Sequence, residues 1–327
     1  MAADLAWFAA GLGALIVGSE WLVRGGARLA AMLGIPPILV GLTVVSIGTS
    51  MPELAVGIRA ASDGNASLAV GNIAGTNIVN LLLILGLSAL IAPLVLEMRT
   101  LRLDLPMMTA AAVLLWALAA DGRLSFVEGV VLTVGAVAYT VVLVFSARRE
   151  SRAIQAEFAG EFAVPEDEPA AATRRDLLRS LGLLIVGIGV VVVGADWLVD
   201  GAVGVAKAFG VSDAFIGLTI VAIGTSAPEL VTTIVSTIRG ERDIAIGNLL
   251  GSSVYNILLI LGVTVMASGR VLELEPDLVR IDIPVMAVVA LACIPIFLSG
   301  RRVGRGEGGA MVAAYLAYVT FLVMTQT

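Results

Sequence analysis

Two glutamates, Glu53 and Glu229, each follow a proline inside an apolar stretch. The fourteen residues around them nearly coincide: GLTVVSIGTSMPEL from Gly41 and GLTIVAIGTSAPEL from Gly217, with eleven identities. An ionisable side chain at bilayer depth is costly unless something uses it. Here two matched ones stand in corresponding places, suited to holding a cation or carrying a proton. On a helix, positions three, four and seven apart share a face. Ser46, Thr49, Ser50 and Glu53 therefore form one polar stripe, repeated as Ala222, Thr225, Ser226 and Glu229. Pro52 and Pro228 lack an amide hydrogen and strain the preceding turn, which can leave carbonyls near Gly48-Thr49 and Gly224-Thr225 without a helical partner. In lipid such backbone persists only where it lines a cavity or is buried in protein.

A second pair of segments follows in register. Gly71-Asn72, Gly75-Thr76 and Asn80 return as Gly247-Asn248, Gly251-Ser252 and Asn256. Thr76 and Asn80 are four apart, as are Ser252 and Asn256, so each pair faces one way, and the GxxxG spacings allow another helix to approach closely. Taken singly, these small residues read as interhelical packing; their recurrence in register with the glutamates favours an ion site. The available ligands are carboxylate, carbonyl, hydroxyl and amide oxygens, which suit a hard cation such as calcium or sodium. The chain has no histidine and one cysteine, Cys293, expected to be a small packing residue. Thiolate or imidazole metal sites, Ser-His and Cys-His catalytic pairs and disulfides within the chain are thereby excluded. Two glutamates balance one divalent ion. When that ion leaves, like-charge repulsion in low dielectric requires sodium or protons to take its place, and that requirement is antiport.

The elements that must position these residues cross a membrane. Of 327 residues 59% are hydrophobic and only 14% charged, with a mean hydropathy of +1.01, which outweighs the formal charge of −6 as a guide to class. The expected fold is all-α and polytopic, because runs long enough to span the hydrocarbon core, about 20 helical residues, recur ten times. They lie near 5–25, 36–60, 67–93, 103–120, 125–147, 177–205, 212–238, 243–268, 281–299 and 308–326. The start Met-Ala-Ala-Asp has no cationic region, so the first run is expected to be a retained helix and not a cleaved signal. With ten spans, the twenty Lys and Arg divide fifteen to five in favour of both termini facing outside. No basic patch with interleaved aromatics suggests nucleic acid.

The internal match keeps a constant offset of 176, and over residues 41–90 the copies agree at 23 of 50 positions. Each copy holds five spans, and an odd number makes the second half enter from the opposite side. The expectation is two inverted five-helix repeats, 1–147 with its motif at 41–90 and 176–327 with its motif at 217–266. Such repeats place substrate at midplane between broken helices. Residues 148–175, with Arg148-Arg149, Glu166-Asp167-Glu168 and Arg174-Arg175, read as a solvated cytoplasmic linker. Glu20 and Asp196 correspond across the repeat, each followed by Trp. Glu20, four residues before Arg24, reads as an interface or packing residue, with a part in gating as the mechanical alternative.

The duplicated pattern closely resembles the calcium/cation antiporter superfamily, in particular prokaryotic sodium/calcium exchangers, whose two alpha repeats carry GTS-x-PE followed by a GN-xx-GSN-like segment. The resemblance covers both halves and nearly all ten spans. It implies an antiporter of the cytoplasmic (inner) membrane, not an enzyme, that exchanges calcium for sodium by alternating access. It further implies calcium ligation by Glu53, Glu229 and the carbonyls of Thr49 and Thr225. Sodium ligation is implied for Ser46, Ser50, Thr76, Ala222, Ser226 and Ser252, with Ser46 and Ala222 contributing carbonyls, and Asn80 and Asn256 form the central polar pair. The sequence departs from the family where Asn256 stands in place of an aspartate, and Thr76-Asn77 and Ser252-Ser253 vary the usual Gly-Ser-Asn. A calcium/proton exchanger in which Glu53 and Glu229 carry the protons is the nearest alternative. A membrane enzyme using Ser50 or Ser226 lacks a base, and a passive channel needs no carboxylate pair to be recharged.

Overall fold

The computed structural model describes residues 2–33, 35–149, 174–209 and 222–326. Helix forms in each of the ten expected spans. The helices are α1 (Ala2–Leu33), α2a (Pro37–Thr49), α2b (Met51–Ser62), α3 (Ala66–Ile91), α4 (Thr100–Leu118) and α5 (Phe126–Arg149). The second half has α6 (Arg174–Ala208), α7a (Ala222–Thr225), α7b (Ala227–Ile238), α8 (Arg242–Ala267), α9 (Leu278–Leu298) and α10 (Arg305–Gln326). Seven are long and apolar enough to cross a membrane, and the bent pair α2a–α2b makes an eighth. Residues 210–221, the first part of the seventh expected span with its Gly217–Val221 motif, lie outside the described residues, as does the linker from 150 to 173. Residues 148–149 and 174–175, expected in that linker, are helical.

Helices α1 and α6 outrun their expected spans. With 32 and 35 residues they extend about 48 and 52 Å, against a hydrocarbon core of about 30 Å. Glycines draw them together at seven-residue intervals. A Cβ on Gly11 would stand 2.7 Å from the Gly194 carbonyl oxygen, on Gly18 3.0 Å from that of Gly187, and on Gly25 2.8 Å from that of Ser180. Partner numbers fall as α1 numbers rise, so the two helices are antiparallel. Because α1 and α6 occupy the same place in the two copies, their opposed directions make the copies inverted. The molecule is a polytopic all-α membrane protein of two inverted five-helix repeats.

The remaining contacts repeat across the same axis. Gly86 of α3 meets Gly308 of α10, and Gly262 of α8 meets Gly129 of α5, each pair with backbone against backbone. Two short antiparallel ladders, absent from the sequence expectation, tie the halves at equivalent points: β1 (Leu94–Val95) pairs with β4 (Arg302–Val303), and β2 (Arg123–Leu124) with β3 (Leu272–Glu273). The main apolar core lies among α3, α4, α5, α8 and α9 and includes Leu115, Tyr139, Tyr255, Cys293 and Phe297. Val127, Val134, Val137 and Phe145 of α5 point away from it and are exposed, as a lipid-facing surface requires.

One feature breaks the symmetry. Helix α1 lies along α7b, whereas its counterpart α6 makes no comparable packing on α2b. At the α1–α7b seam Ser19 Oγ and Thr232 Oγ1 share a hydrogen bond of 3.1 Å. Beyond them Glu20 accepts a hydrogen bond from Arg239 Nε at 2.9 Å, forms an ion pair with its Nη2 at 2.6 Å, and is also paired with Arg24.

Candidate ion-binding site

The two glutamates stand one turn beyond matching breaks. Between α2a and α2b the backbone turns at Ser50, with φ −87° and ψ 11°, and the axes bend by 42°. Between α7a and α7b it turns at Ser226, with φ −87° and ψ 5°. The cause is local: Pro52 and Pro228 offer no amide to the carbonyl four residues earlier. Glu53 and Glu229 then fall in the first turns of α2b and α7b, where the positive end of the helix dipole favours negative charge.

The asparagines sit on irregular helix too. Asn80 lies in a π-helical stretch, Val79–Ile84, within α3, and Asn256 opens the equivalent stretch, Asn256–Leu261, within α8. A π turn widens the helix by one residue and recurs at functional sites. Helix α2b packs on the π stretch of α8, and α7b on that of α3. The helix that carries each repeat's glutamate therefore packs on the asparagine segment of the other.

The arrangement gathers Glu53, Glu229, Asn80, Asn256, Ser50, Ser226 and Ser252, all with 0% exposure, and Thr76 with 3%. Ser50 Oγ donates to Glu229 Oε1 at 3.0 Å. Its 3.5 Å approach to Ser252 Oγ is matched by 3.5 Å between Ser226 and Thr76. Ser50 stands three residues before Glu53, so its bond to Glu229 brings that glutamate beside the turn that leads into Glu53. Neither Glu53 oxygen has a hydrogen-bond partner among the described residues, nor do Glu229 Oε2 or the amide groups of Asn80 and Asn256. Burying such oxygens unpaired is expensive. Together they form an oxygen-lined, negatively charged centre that suits a hard cation.

Other expected residues serve to build the walls. Ser46 Oγ donates to Gly41 O at 2.5 Å and approaches Gly247 O and Asn248 O at 3.4 and 3.2 Å. Its own carbonyl accepts from Ser50 N–H at 3.1 Å and Thr49 Oγ1 at 3.3 Å. Thr49 Oγ1 also reaches Asn248 Oδ1 at 3.2 Å, and Asn248 Nδ2 donates to Thr233 at 3.1 Å. Asn248 is thus a buried bridge between the second, seventh and eighth spans. The paired Gly-Asn motifs pointed to it without revealing that task. Thr225 is half-buried at the end of α7a, and Ala222 begins that helix.

The sequence model of the sodium/calcium exchanger protein family matches residues 4–145 and 179–324. The chain belongs to that family. Among curated relatives of these exchangers, the inner membrane protein YrbG of Escherichia coli (strain K12) is 36% identical over 317 residues, covering 95% of this chain and 94% of its own. The sodium/calcium exchanger MaX1 of Methanosarcina acetivorans is 30% identical over 345 residues, covering 95% of this chain and 96% of its own. A solved structure of the sodium-calcium exchanger NCX_Mj soaked with Na+ and Sr2+ superposes with a TM-score of 0.82 at 29% identity, covering 97% of both chains. This exchanger-family chain is accordingly a multi-pass integral membrane protein and a cation antiporter, not an enzyme.

Proposed function

We propose that the protein exchanges calcium for sodium by alternating access, with both ions bound between the two repeats. The observation that carries this reading is the enclosure of Glu53, Glu229, Asn80 and Asn256, whose side-chain oxygens are buried and short of donors. In this reading Glu53 and Glu229 hold calcium together with the carbonyls of Thr49 and Thr225. Ser50, Ser226, Thr76 and Ser252, with the carbonyls of Ser46 and Ala222, complete the sodium positions, and Asn80 and Asn256 form the centre. Two carboxylates neutralise one calcium or two sodium ions, and an amide at Asn256 adds none of the charge that an aspartate would. The repeats run over 1–147 and 176–327, joined by a cytoplasmic linker. The arginine distribution supports both termini outside, and the likeness to an inner membrane protein supports that membrane.

Protons are the alternative coupling ion, since the same two glutamates are groups that protons could neutralise. Calcium uptake into inverted vesicles under an imposed sodium gradient, compared with a pH gradient, separates the two. The sodium gradient is expected to drive uptake; uptake driven by pH alone would overturn the sodium reading in favour of proton exchange.

A further inference from the structure

A groove of about 410 Å³ lies along the α1–α6 pair, lined by Trp21 and Arg28 of α1 and Arg179, Gly182, Leu183 and Val186 of α6. We propose that it binds one anionic phospholipid, whose phosphate is held by Arg28 and Arg179 while an acyl chain lies on Trp21, Leu183 and Val186. Neither Arg28 nor Arg179 forms an ion pair with an acid among the described residues. Both are exposed, one on each wall. Guanidinium groups bind phosphate oxygens with directed hydrogen bonds, and basic pockets between membrane helices suit anionic headgroups. Leu183 and Val186 are three apart on one helix face, Val186 is 52% exposed, and Trp21 is 37% exposed. Those apolar surfaces continue from the two charges toward the middle of both helices. A Cβ on Gly182 would meet nothing within 4 Å, so the floor is free.

The fold supplies its own comparison. At an offset of 176 the six lining positions recur at the opposite end of the same helix pair as Trp197, Gly204, Ala3, Ala6, Trp7 and Ala10. None of those six residues is charged. Trp7, in the place of Leu183, fills the space by lying against Trp197, with ring centroids 5.5 Å apart. The same backbone geometry is closed by aromatics at one end and left open and doubly basic at the other. The open end is the one where α1 finishes and α6 begins, on the face where the arginines concentrate. The inference does not depend on which ions are exchanged.

The test uses the full chain carrying Trp7, Trp116 and Trp197→Phe, so that Trp21 reports alone, in vesicles mixing phosphatidylcholine and phosphatidylglycerol with one or the other brominated. Brominated phosphatidylglycerol is expected to quench Trp21 with roughly thirtyfold preference over brominated phosphatidylcholine, the scale of two arginines at a lipid surface. Arg28→Gln with Arg179→Gln should bring the preference close to one. Arg174→Gln with Arg175→Gln, an equal charge change outside the groove, should leave it in place. Gly182→Leu should weaken quenching by both lipids. Equal quenching by both lipids in the starting protein would overturn the proposal, as would none by either. So would an equal loss in the Arg174/Arg175 variant, which would reduce the effect to surface charge. Displacement by millimolar inorganic phosphate would instead make the groove a free-anion site.

Discussion

Glu53 and Glu229 differ in one respect that their identical motifs conceal. Glu229 receives a hydrogen bond from Ser50, and Glu53 receives none from its counterpart Ser226, whose hydroxyl approaches Thr76. Either glutamate changed to glutamine keeps its shape and loses the charge on which a divalent ion depends. Glu53→Gln and Glu229→Gln are each expected to lower calcium exchange by roughly a hundredfold or more, the upper scale for disturbing the surroundings of a bound metal. Size-exclusion profiles should stay those of the parent protein; calcium flux at the parent rate in either variant would remove that residue from the site. Asn256→Asp adds a third carboxylate where the amide has no partner. It should change the charge moved per calcium, read as a shift in the reversal potential of exchange in vesicles, and an unchanged potential would show this position uncoupled. These residues were legible because duplication marked them. Ser46 shows the limit: its stripe position was clear, but its hydroxyl acts on carbonyls 201 and 202 residues away, which spacing along one helix cannot foresee.

Among the elements, the long antiparallel pair α1–α6 was legible only as two apolar runs. The sequence showed their cores, but the extension of both helices beyond the hydrocarbon length arises from mutual packing along glycines set seven apart in each. The π stretches and the short β ladders were equally hidden, since neither has a residue signature that separates it from ordinary helix or loop. The glycine contacts give a sharp expectation. A Cβ at Gly11 would lie inside van der Waals contact of the Leu198 amide and 2.7 Å from the Gly194 carbonyl oxygen, both backbone atoms that cannot turn aside. At Gly13, two residues on, it would meet nothing. Gly11→Ala should destabilise the protein by about 1–3 kcal/mol through overpacking, seen as a fall of several °C in the melting temperature of the detergent-solubilised protein. Gly13→Ala should leave it unchanged or slightly higher, because alanine is the better helix former. A similar melting temperature for the two variants would show that the α1–α6 contact tolerates separation.

For the whole molecule, the inverted repeat means that any contact made on one side of the site has a possible twin on the other. The broken twin therefore locates the moving part. Helix α1 lies along α7b, where Thr232 and Ser236 are buried, and fastens there through Ser19–Thr232 and the Glu20–Arg239–Arg24 cluster. The twin positions of Glu20, Arg24 and Arg239 are Asp196, Asp200 and Asp63, three acids with no cation among them, and there α6 has not closed on α2b. Under the proposed alternating access, the α1 contact must open when the α6 contact forms. The Glu20 cluster then biases the resting population toward the arrangement described. A part-exposed ion pair contributes about 1 kcal/mol at most, or roughly fivefold in that population. Glu20→Gln should therefore raise the rate at which a cysteine at Ser236 reacts with a polar thiol reagent by up to about fivefold, applied from the side of Arg239. The native thiol does not interfere, because Cys293 is buried in the core with 1% exposure. Asp196→Asn, on the twin that holds no such contact, should not raise that rate. Equal reactivity of the Ser236→Cys protein with and without Glu20→Gln would mean that the ion cluster plays no part in holding α1 against the core.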